Sequence, residues 1–384
     1  MGALIVVVLA IAIAAVIAIV VYLRRRLVLD PFPQGPRQRL GGRVLIGSVV
    51  VTFGTILVPR IVPGSPVARV AVAGYVMLAV FFYLALTLAV AELPRWAIRR
   101  RSRSSDPTSP EPATVARVIA AASVAIAVVT TAVGFFEARD IAVKEVSVPM
   151  TRPDPAVDGL RIAVLTDIHL TVGLRDRAWM AEVVKRVNEL EPDLVAIVGD
   201  LVDGDVEHLG DDAAPLAELE STHGTVFVTG NHEFISGATQ WVDFLPTLGI
   251  RVLRNEHFEI DRNGSTFVVA GVDDVTGDAS GSGPDIPSAV EGTSADHTVI
   301  LLSHQPVLAG EARDNEVDLQ ISGHTHGGQM WPIHLLVQLQ QGHVAGLERV
   351  GDMALYTSRG VGSWGPPVRV GAPPEIALLT LQAG

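Results

Sequence analysis

The sequence predicts an α/β domain that is preceded by an all-α transmembrane anchor. The first 140 residues contain four long apolar runs, and from Leu160 onward short β-branched runs alternate with helical stretches. The charge follows the same division, because residues 1–150 hold 16 basic against 7 acidic side chains and the rest holds 13 against 34, with all eleven histidines. We therefore expect an anchor over residues 1–140 and an acidic domain over residues 141–384.

The anchor is expected to consist of about four membrane-spanning helices. As a helix, about 20 apolar residues cross a hydrocarbon core of roughly 30 Å. The second run is the weakest because Pro59 and Arg60 interrupt it, and three spans are the alternative. Arg24, Arg25 and Arg26 follow the first run instead of preceding it, which favours a retained helix over a signal peptide. The predicted spans are residues 3–23, 44–62, 70–91 and 118–136.

The loops of the anchor predict its orientation. The loops after the first and third runs carry six arginines each, whereas the loop after the second carries only Arg60 and Arg69. Arginine-rich loops face the cytoplasm by the positive-inside rule. We therefore expect an integral cell membrane protein whose acidic domain is extracytoplasmic. Residues 102–112, rich in Ser and Pro, are expected to form a disordered cytoplasmic linker.

The composition excludes several classes of site. The chain contains no cysteine, so it has no disulfide, no thiolate zinc site and no cysteine nucleophile. Any metal ion must be held by nitrogen and oxygen. The net charge of -21 over residues 151–384 argues against nucleic acid as a partner, because phosphate backbones recruit Lys and Arg surfaces.

Polar side chains follow five predicted strands of the acidic domain, each at the point where the strand ends. Since ligands bind at the carboxyl edge of open α/β sheets, these five pieces of chain can meet at one rim. The predicted strands cover residues 161–166, 194–198, 226–229, 299–302 and 319–321. The clusters after them are Asp167-Ile168-His169, Gly199-Asp200-Leu201-Val202-Asp203, Gly230-Asn231-His232-Glu233, Ser303-His304 and Ser322-Gly323-His324-Thr325-His326.

The residue types in these clusters suit a site for two divalent metal ions. His324 and His326 stand one residue apart among glycines, so both imidazoles can turn into one small space. Two divalent ions about 3.5 to 4 Å apart can clamp a phosphoryl group and supply hydroxide near neutral pH. A carboxylate must bridge such ions, and Asp200 is the candidate. Each cluster alone has an ordinary explanation as a turn or helix cap, which the ordered set of five does not.

The ordered set resembles the calcineurin-like metallophosphoesterase superfamily. The match covers about residues 158–384 and includes Asp167-x-His169, Gly199-Asp200-x-x-Asp203, Gly230-Asn231-His232-Glu233, His304 and Gly323-His324-x-His326. The anchored layout resembles the bacterial membrane-attached branch of that superfamily, as do Gly271-Val272-Asp273-Asp274, Gln329 and the closing segment from Ser358-Arg359-Gly360 to Pro374-Glu375-Ile376. The resemblance implies a four-layer sandwich of two mixed β-sheets flanked by helices.

The resemblance also implies a role for each motif residue. One metal ion would be bound by Asp167, His169, Asp200 and His326, and the other by Asp200, Asn231, His304 and His324. His232 matches no ligand position; it would contact the phosphate or protonate the leaving group with the help of Asp203. Asn231, His232 and Arg359 are the expected substrate contacts. The two divalent ions could be Mn, Fe or Zn, since all three accept nitrogen and oxygen ligands.

The expected function is that of a membrane-anchored, dinuclear metal-dependent phosphoesterase. It would hydrolyse a phosphomonoester or phosphodiester of a cell-envelope or lipid-linked substrate by attack of a metal-bridging hydroxide. One alternative is a nucleotide-sugar or lipid pyrophosphatase. Another is a non-catalytic membrane protein, in which the helices act as a transporter or scaffold and the acidic domain only binds a phosphorylated ligand. Partners would be the membrane and a phosphorylated small molecule or lipid, with no nucleic acid.

Three features outside the motifs remain. Arg359 and Arg369 lie in Gly/Pro-rich turns and could grip a substrate phosphate bidentately. Residues 331–337 are unusually apolar and are expected to be buried, the alternative being a contact with the bilayer that lets a lipid headgroup reach the metals. Residues 277–288 are rich in Gly, Ser, Asp and Pro and are expected to form a flexible connection, with closure over the rim as the alternative.

Overall fold

The computed structural model describes residues 2–61, 67–102 and 113–384. The chain divides into two units, Met1–Gly134 and Phe135–Gly384. Val62, at the end of the second predicted span, and all of the predicted linker except Ser102 lie outside the described residues.

The first unit is helical. A helix satisfies every backbone polar group within its own segment, which is what an apolar run in a bilayer requires. Within the described residues three stretches are long and apolar enough to cross a membrane, namely Pro36–Val58, Val70–Ile98 and Ala113–Glu137. The first predicted span is also a helix, and its passage through a membrane stays a prediction. The helices are α1 (Gly2–Arg24), α2 (Pro36–Ile61), α3 (Val67–Ser102) and α4 (Ala113–Glu137).

Helix α3 is longer than its predicted span and continues through charged residues. Arg26, just after α1, donates to Glu92 of α3 at 2.6 Å and to Asp30 at 2.8 Å. Tyr22 of α1 donates its hydroxyl to Glu92 at 3.0 Å. A charge that leaves water must be paired, and these contacts supply the pairs. The cluster therefore fixes the end of α1 against α3.

The second unit contains two mixed β-sheets. The strands are β1 (Ala142–Pro149), β2 (Arg161–Leu165), β3 (Leu194–Val198), β4 (Thr225–Val228), β5 (Ile250–Val252), β6 (Glu256–Arg262), β7 (Ser265–Gly271), β8 (Thr298–Leu302), β9 (Leu319–Ser322), β10 (Gly346–Val350), β11 (Met353–Thr357) and β12 (Glu375–Gln382). The helices are α5 (Arg177–Asn188), α6 (Val206–Ala213), α7 (Asn231–Ser236), α8 (Ala238–Phe244), α9 (Ile286–Ala289), α10 (Ala309–Asp314) and α11 (His334–Gln341).

Both sheets are mixed and contain a run of four parallel strands; the first has one antiparallel pairing inside it, and the second has an antiparallel pairing at each edge. The first sheet has the order β1-β12-β2-β3-β4-β5, with β2 to β5 parallel and β12 antiparallel to β2. The second has the order β10-β11-β9-β8-β7-β6, with β7, β8, β9 and β11 parallel. Parallel strands end at the same edge of a sheet, so each sheet collects its strand-end loops on one side.

Three apolar clusters show four layers. Val164 and Val198 of the first sheet pack against Leu302 and Ile321 of the second. Alternate residues of the same strands face the other way, because side chains in a strand alternate between the two faces of the sheet. Ile197 of the first sheet thus packs among the residues of α5 and α6, while residues of the second sheet pack on α9 and α10. The predicted sandwich of two mixed sheets flanked by helices is confirmed.

Residues 277–288, expected to form a flexible connection, contain two short helical turns. The Asp274 side chain accepts from Thr276 N at 2.8 Å and begins a 3₁₀ turn over Val275–Ser280. Asp285 accepts from Ser288 N at 3.0 Å and begins α9. Aspartates at such positions satisfy backbone donors that the first turn of a helix leaves free. Two capped helical turns therefore occupy most of this segment.

Candidate metal centre

The two sheets deliver the predicted site residues to one place. Asp167 and His169 follow β2, Asp200 and Asp203 follow β3, and Asn231 and His232 begin α7 directly after β4. From the second sheet, His304 follows β8, and His324 and His326 follow β9. The predicted strands therefore exist, within a residue at either end, and their loops meet at the seam between the sheets. Of the predicted motif residues, none lies apart from this rim.

The first group of potential ligands is Asp167, His169 and His326. All three are buried, and their ligand atoms lie within 4.8 Å of one another. The Nε2 atoms of His169 and His326 are 3.1 Å apart, and Nε2 of His326 is 3.4 Å from Oδ1 of Asp167. Burial and the nearby Arg369 guanidinium hold the pKa of His326 well below its usual value, so this imidazole is neutral and can donate a lone pair.

The second group is Asp200, His304 and His324, whose ligand atoms also lie within 4.8 Å of one another. Nε2 of His304 is 3.3 Å from Oδ2 of Asp200, and Nδ1 of His324 is 2.9 Å from Oδ1 of Asn231. The same Oδ2 of Asp200 is 3.8 Å from Nε2 of His169 in the first group. Asp200 therefore lies between the two groups, and Asn231 joins the second.

His304 tests whether these residues fit a cation. Its Nδ1 is 2.8 Å from the Val198 carbonyl, which fixes a proton on that nitrogen, so Nε2 is the only nitrogen that could bind a metal ion. That buried Nε2 has no hydrogen-bond partner among the described residues. Burial alone would lower the pKa of His304, but the charge of Asp200 raises it well above its usual value. The position thus favours positive charge, and a nitrogen and oxygen donor set without sulfur suits a divalent metal ion.

Asp203 connects His169 with His232. Its Oδ1 is 2.9 Å from Nδ1 of His169 and 2.7 Å from Nδ1 of His232. These two imidazoles hold the pKa of Asp203 far below its usual value, against the effect of burial. A carboxylate on Nδ1 fixes the ring so that Nε2 faces the metal ligands. The ring of His232 stands edge-on to His169 and to Trp364, with centroids 4.5 and 6.4 Å away.

The backbone around the ligands is strained. Asp167, His169, Asp200, His324 and His326 all have φ between 49° and 67°, and they make up half of the ten non-glycine residues with positive φ in the described part of the chain. Side chains other than glycine adopt this region at a cost, and such strain concentrates at functional sites. The left-handed turns aim successive ligands into the seam instead of along the sheet.

Two motif glycines make room for the ligands. A Cβ on Gly199, whose φ is 75°, would lie 2.6 Å from Nδ1 of His304. A Cβ on Gly323 would lie 2.6 Å from Oδ2 of Asp167. Both distances are shorter than real Cβ contacts, so with a larger residue at either position the neighbouring candidate ligand would have to shift, together with Thr166 in the case of Gly323.

Glu233 supports the rim from below, a role that the sequence motif did not reveal. This fully buried carboxylate accepts backbone N–H bonds from Asp200 at 3.0 Å, Leu201 at 2.8 Å, Val202 at 3.3 Å and Gly230 at 2.7 Å. Burial and the charge of Asp200 raise the pKa of Glu233 to about 8, and the N–H bonds oppose this rise. One side chain thus holds the turns that follow β3 and β4.

Two buried arginines support the remaining turns. Arg175 donates to the His169 carbonyl at 2.6 Å and to the Ser363 carbonyl at 2.8 Å. Arg369 donates to the carbonyls of His326 at 3.0 Å and Arg359 at 2.8 Å. Burial lowers the pKa of each to about 10. Arg369, predicted as a possible phosphate contact, is fully buried and bound to backbone oxygens, so that prediction is wrong.

Arg359 differs from Arg369 because its side chain is 31% exposed. Its Nη1 donates to Oε2 of Glu375 at 3.0 Å, which leaves the other donors of the guanidinium available. The stem of its side chain neighbours the rim, since a Cβ on Gly327 would lie 3.0 Å from Cγ of Arg359. A contact between Arg359 and substrate therefore stays a prediction.

Residues 160–328 match the family of calcineurin-like phosphoesterases. The chain is 40% identical over 279 residues to a "Transmembrane protein with metallophosphoesterase domain" of Bos taurus, an alignment that covers 68% of this chain and 62% of the relative. It is 37% identical over 228 residues to an uncharacterized metallophosphoesterase of Aquifex aeolicus, which covers 58% of this chain and 85% of the relative.

Among solved structures, a dimetal phosphatase from Danio rerio matches with 15% identity and a TM-score of 0.33, covering 55% of this chain and 90% of that one. The chain spans 62% of the Bos taurus relative and 57% of a relative with the same description from Danio rerio.

Proposed function

Because the chain belongs to the calcineurin-like phosphoesterase family, we propose that it is a membrane-anchored phosphoesterase that works with two divalent metal ions. One observation carries the proposal, namely the position of Asp200. Its Oδ2 lies 3.8 Å from His169 in one ligand group and 3.3 Å from His304 in the other. A carboxylate shared by two sets of ligands is what a pair of adjacent cations requires.

The proposed ligand sets follow the two groups. Asp167, His169, Asp200 and His326 would hold one ion, and Asp200, Asn231, His304 and His324 the other. When bound, the ions would supply positive charge to the phosphoryl oxygens and acidify the attacking water. Manganese, iron and zinc all suit these donors.

The remaining chemistry belongs to side chains that do not bind metal. Asp203 holds Nδ1 of His232, which leaves Nε2 of His232 as the nitrogen that can give a proton to the leaving oxygen. Asp203 and the charge of Asp200 raise the pKa of His232 although burial lowers it, and this keeps the proton in place. Asn231 and Arg359 would contact the phosphate, Arg359 through the guanidinium donors that Glu375 does not use.

We further propose that the catalytic unit lies outside the cytoplasm and acts on a lipid-linked or cell-envelope phosphoester. The arginine-rich loops of the anchor support the orientation. Because the chain has no native cysteine, the variant Lys185→Cys can be labelled in intact cells with a membrane-impermeant maleimide. Labelling before lysis supports this orientation, whereas labelling only after lysis contradicts it.

Activity is best tested with the purified full chain in detergent. The substrates are bis-p-nitrophenyl phosphate and p-nitrophenyl phosphate, each with and without added Mn²⁺, and the metal content is measured in parallel. We expect metal-dependent turnover that Asp200→Ala abolishes together with metal binding, and that His232→Ala reduces while the metal is retained. His208→Ala is the matched control, since this exposed histidine pairs with Asp205 away from the rim.

The outcomes separate the alternatives. Preference for the diester or the monoester assigns the reaction type, and cleavage of a nucleotide diphosphate ester instead would favour a pyrophosphatase. A folded protein that holds two metal ions and cleaves none of these substrates would support the phospho-ligand-binding alternative.

A further inference from the structure

The apolar segment at residues 331–337 follows the loop that carries His324 and His326, which we call the metal loop. Contrary to the predicted burial, none of its residues is buried and three are exposed. Trp331 is 55% exposed, and on α11 Leu335, Leu336 and Leu339 are 59, 67 and 84% exposed. We call these four side chains the α11 patch. The same helix buries Gln341, which is 4% exposed and donates to Gln305 at 3.0 Å. An amphipathic helix on a water-soluble domain normally turns its leucines inward, whereas all three leucines of α11 are exposed.

The patch continues around the rim. Between residues 142 and 384, all of which the structure describes, only nine large hydrophobic side chains are exposed. Besides the α11 patch they include Val172, Ile235 and Val307, each three residues after His169, His232 or His304. Val307 lies in the turn on which α11 packs, and Trp364 N–H donates to Gln329 of the metal loop at 2.9 Å. Exposed apolar side chains that cluster in this way mark an interaction surface.

The charge of the segment indicates what kind of surface it meets. Residues 319–347 contain no Asp, Glu, Lys or Arg, although residues 151–384 as a whole carry a net charge of -21. A protein partner that recognised this domain by charge would find nothing to pair with here. A neutral apolar segment is instead what allows an acidic domain to approach an anionic lipid surface without repulsion.

The link between α4 and β1 joins the first sheet at the edge where the candidate metal site lies. Only four residues separate the end of α4 from Ala142, the first residue of β1, so this link reaches about 18 Å at most. Ala142 pairs with Glu375, and β12 runs antiparallel to β2 with Ala377 opposite Val164. Ala142 is therefore level with the carboxyl end of β2, where Asp167 follows.

From these observations we propose that the α11 patch inserts into the interface of the bilayer that the anchor crosses, and brings the metal rim to the level of the lipid headgroups. The occupant of the patch is thus the lipid surface itself. This placement also bears on the substrate, and that part rests on the proposed phosphoesterase activity: the phosphoester is presented by a membrane amphiphile and not taken from bulk water. Interfacial helices of this kind bury their apolar face about 5–10 Å into the headgroup and acyl boundary.

The test measures location and does not depend on turnover. Because the chain has no cysteine, Leu339→Cys and Leu336→Cys can each carry a single nitrobenzoxadiazole label in the full-length protein. The protein is placed in nanodiscs of phosphatidylcholine and phosphatidylglycerol, with or without bromine in the upper part of the acyl chains. Lys185→Cys on α5, whose side chain is 68% exposed, is the matched control.

We expect brominated lipid to quench the labels at 336 and 339 several-fold more than the label at 185, and aqueous iodide to show the reverse order. Equal access of iodide to all three labels would overturn the proposal, since the patch would then face water. Protection from both quenchers, with disulfide cross-links between two copies of Leu339→Cys, would assign the patch to a second copy and equally overturn it. Failure of the activity assay would leave these results unchanged, so the two proposals fail separately.

Discussion

The substitution Glu233→Gln tests whether one buried side chain holds the metal ligands in place. Oε2 of Glu233 faces the N–H groups of Asp200 and Gly230, and Oε1 faces those of Leu201 and Val202. Glutamine keeps the size and one acceptor oxygen but replaces the other oxygen with an NH₂ group. In either orientation of the amide, two backbone donors then face another donor.

The magnitude follows from those two donors. A buried donor without an acceptor costs about 1–3 kcal/mol, so above about pH 8, where Glu233 is a carboxylate, the free energy of unfolding should fall by about 2–6 kcal/mol. The loss falls on the turn that carries Asp200, and we therefore expect weaker metal binding as well. Urea unfolding of the full chain in detergent, followed by tryptophan fluorescence, measures the first effect, because Trp241 is fully buried in this unit. Metal titration measures the second.

The matched control is Glu182→Gln on the exposed face of α5, where the carboxylate pairs with Arg186 at 3.1 Å. A surface pair contributes about 0–1 kcal/mol, so this variant should unfold like the parent. If Glu233→Gln also unfolds like the parent and binds metal with the same affinity, the support that we assign to Glu233 is refuted.

Three further substitutions probe other parts of the unit. Asp203→Asn should lower turnover by about 10- to 100-fold, because it removes the charge that orients His169 and His232, and steady-state kinetics measure this. Gly323→Ala should lose metal, since the new Cβ would lie 2.6 Å from Asp167, and elemental analysis of the purified variant measures the loss. Asp154→Asn should weaken the fall in stability at acid pH, which urea unfolding at several pH values measures. Hydrogen bonds from Thr298 and Ala156 hold the pKa of Asp154 below its usual value although burial opposes them, so its stabilising effect is present above about pH 4 and is lost as pH falls through the lowered pKa.

Each of these variants has its own control. Asp205→Asn removes an exposed charge at the start of α6, away from the rim, and should keep its activity, so an equal loss there would show that the loss of charge alone is responsible. Gly310→Ala tests alanine at a glycine that, like Gly323, has no positive φ but has open space around it, and metal loss there would refute the steric explanation. Asp158→Asn is the control for Asp154, because its carboxylate is exposed. If the free energy of unfolding of Asp154→Asn falls at acid pH as steeply as that of the parent, Asp154 does not contribute to the acid sensitivity.

That the candidate site residues meet could be predicted, because the backbone alone brings them to the ends of the strands. Residues that follow parallel strands must meet at one edge, so the clusters after β2, β3, β4, β8 and β9 converge whatever their side chains are. The supports could not be predicted in this way. Arg175 and Arg369 lie in turns that look like surface sequence, and only the packed structure shows that their guanidinium groups bind carbonyls of the metal loops.

The apolar segment at 331–337 marks a different limit. A run of Trp, Ile, Leu and Val looks the same in sequence whether it faces a protein core or a lipid surface, because both are apolar. The sequence therefore indicated burial, and the structure turns Trp331, Leu335 and Leu336 outward. Likewise, the end of α3 could not be placed from hydropathy, because Glu92 is accommodated by its partners Arg26 and Tyr22 and not by leaving the helix.

The pairing of β1 with β12 has a consequence for the order in which the chain becomes native. All eight residues of β1 pair with β12, which is synthesised more than two hundred residues later, and β12 also lies between β1 and β2. The first strand to emerge after α4 must therefore wait, without its neighbour, until nearly the whole sequence has left the ribosome. During that interval its edge is open to wrong partners. The first sheet therefore becomes native only after a strand more than two hundred residues downstream has joined it.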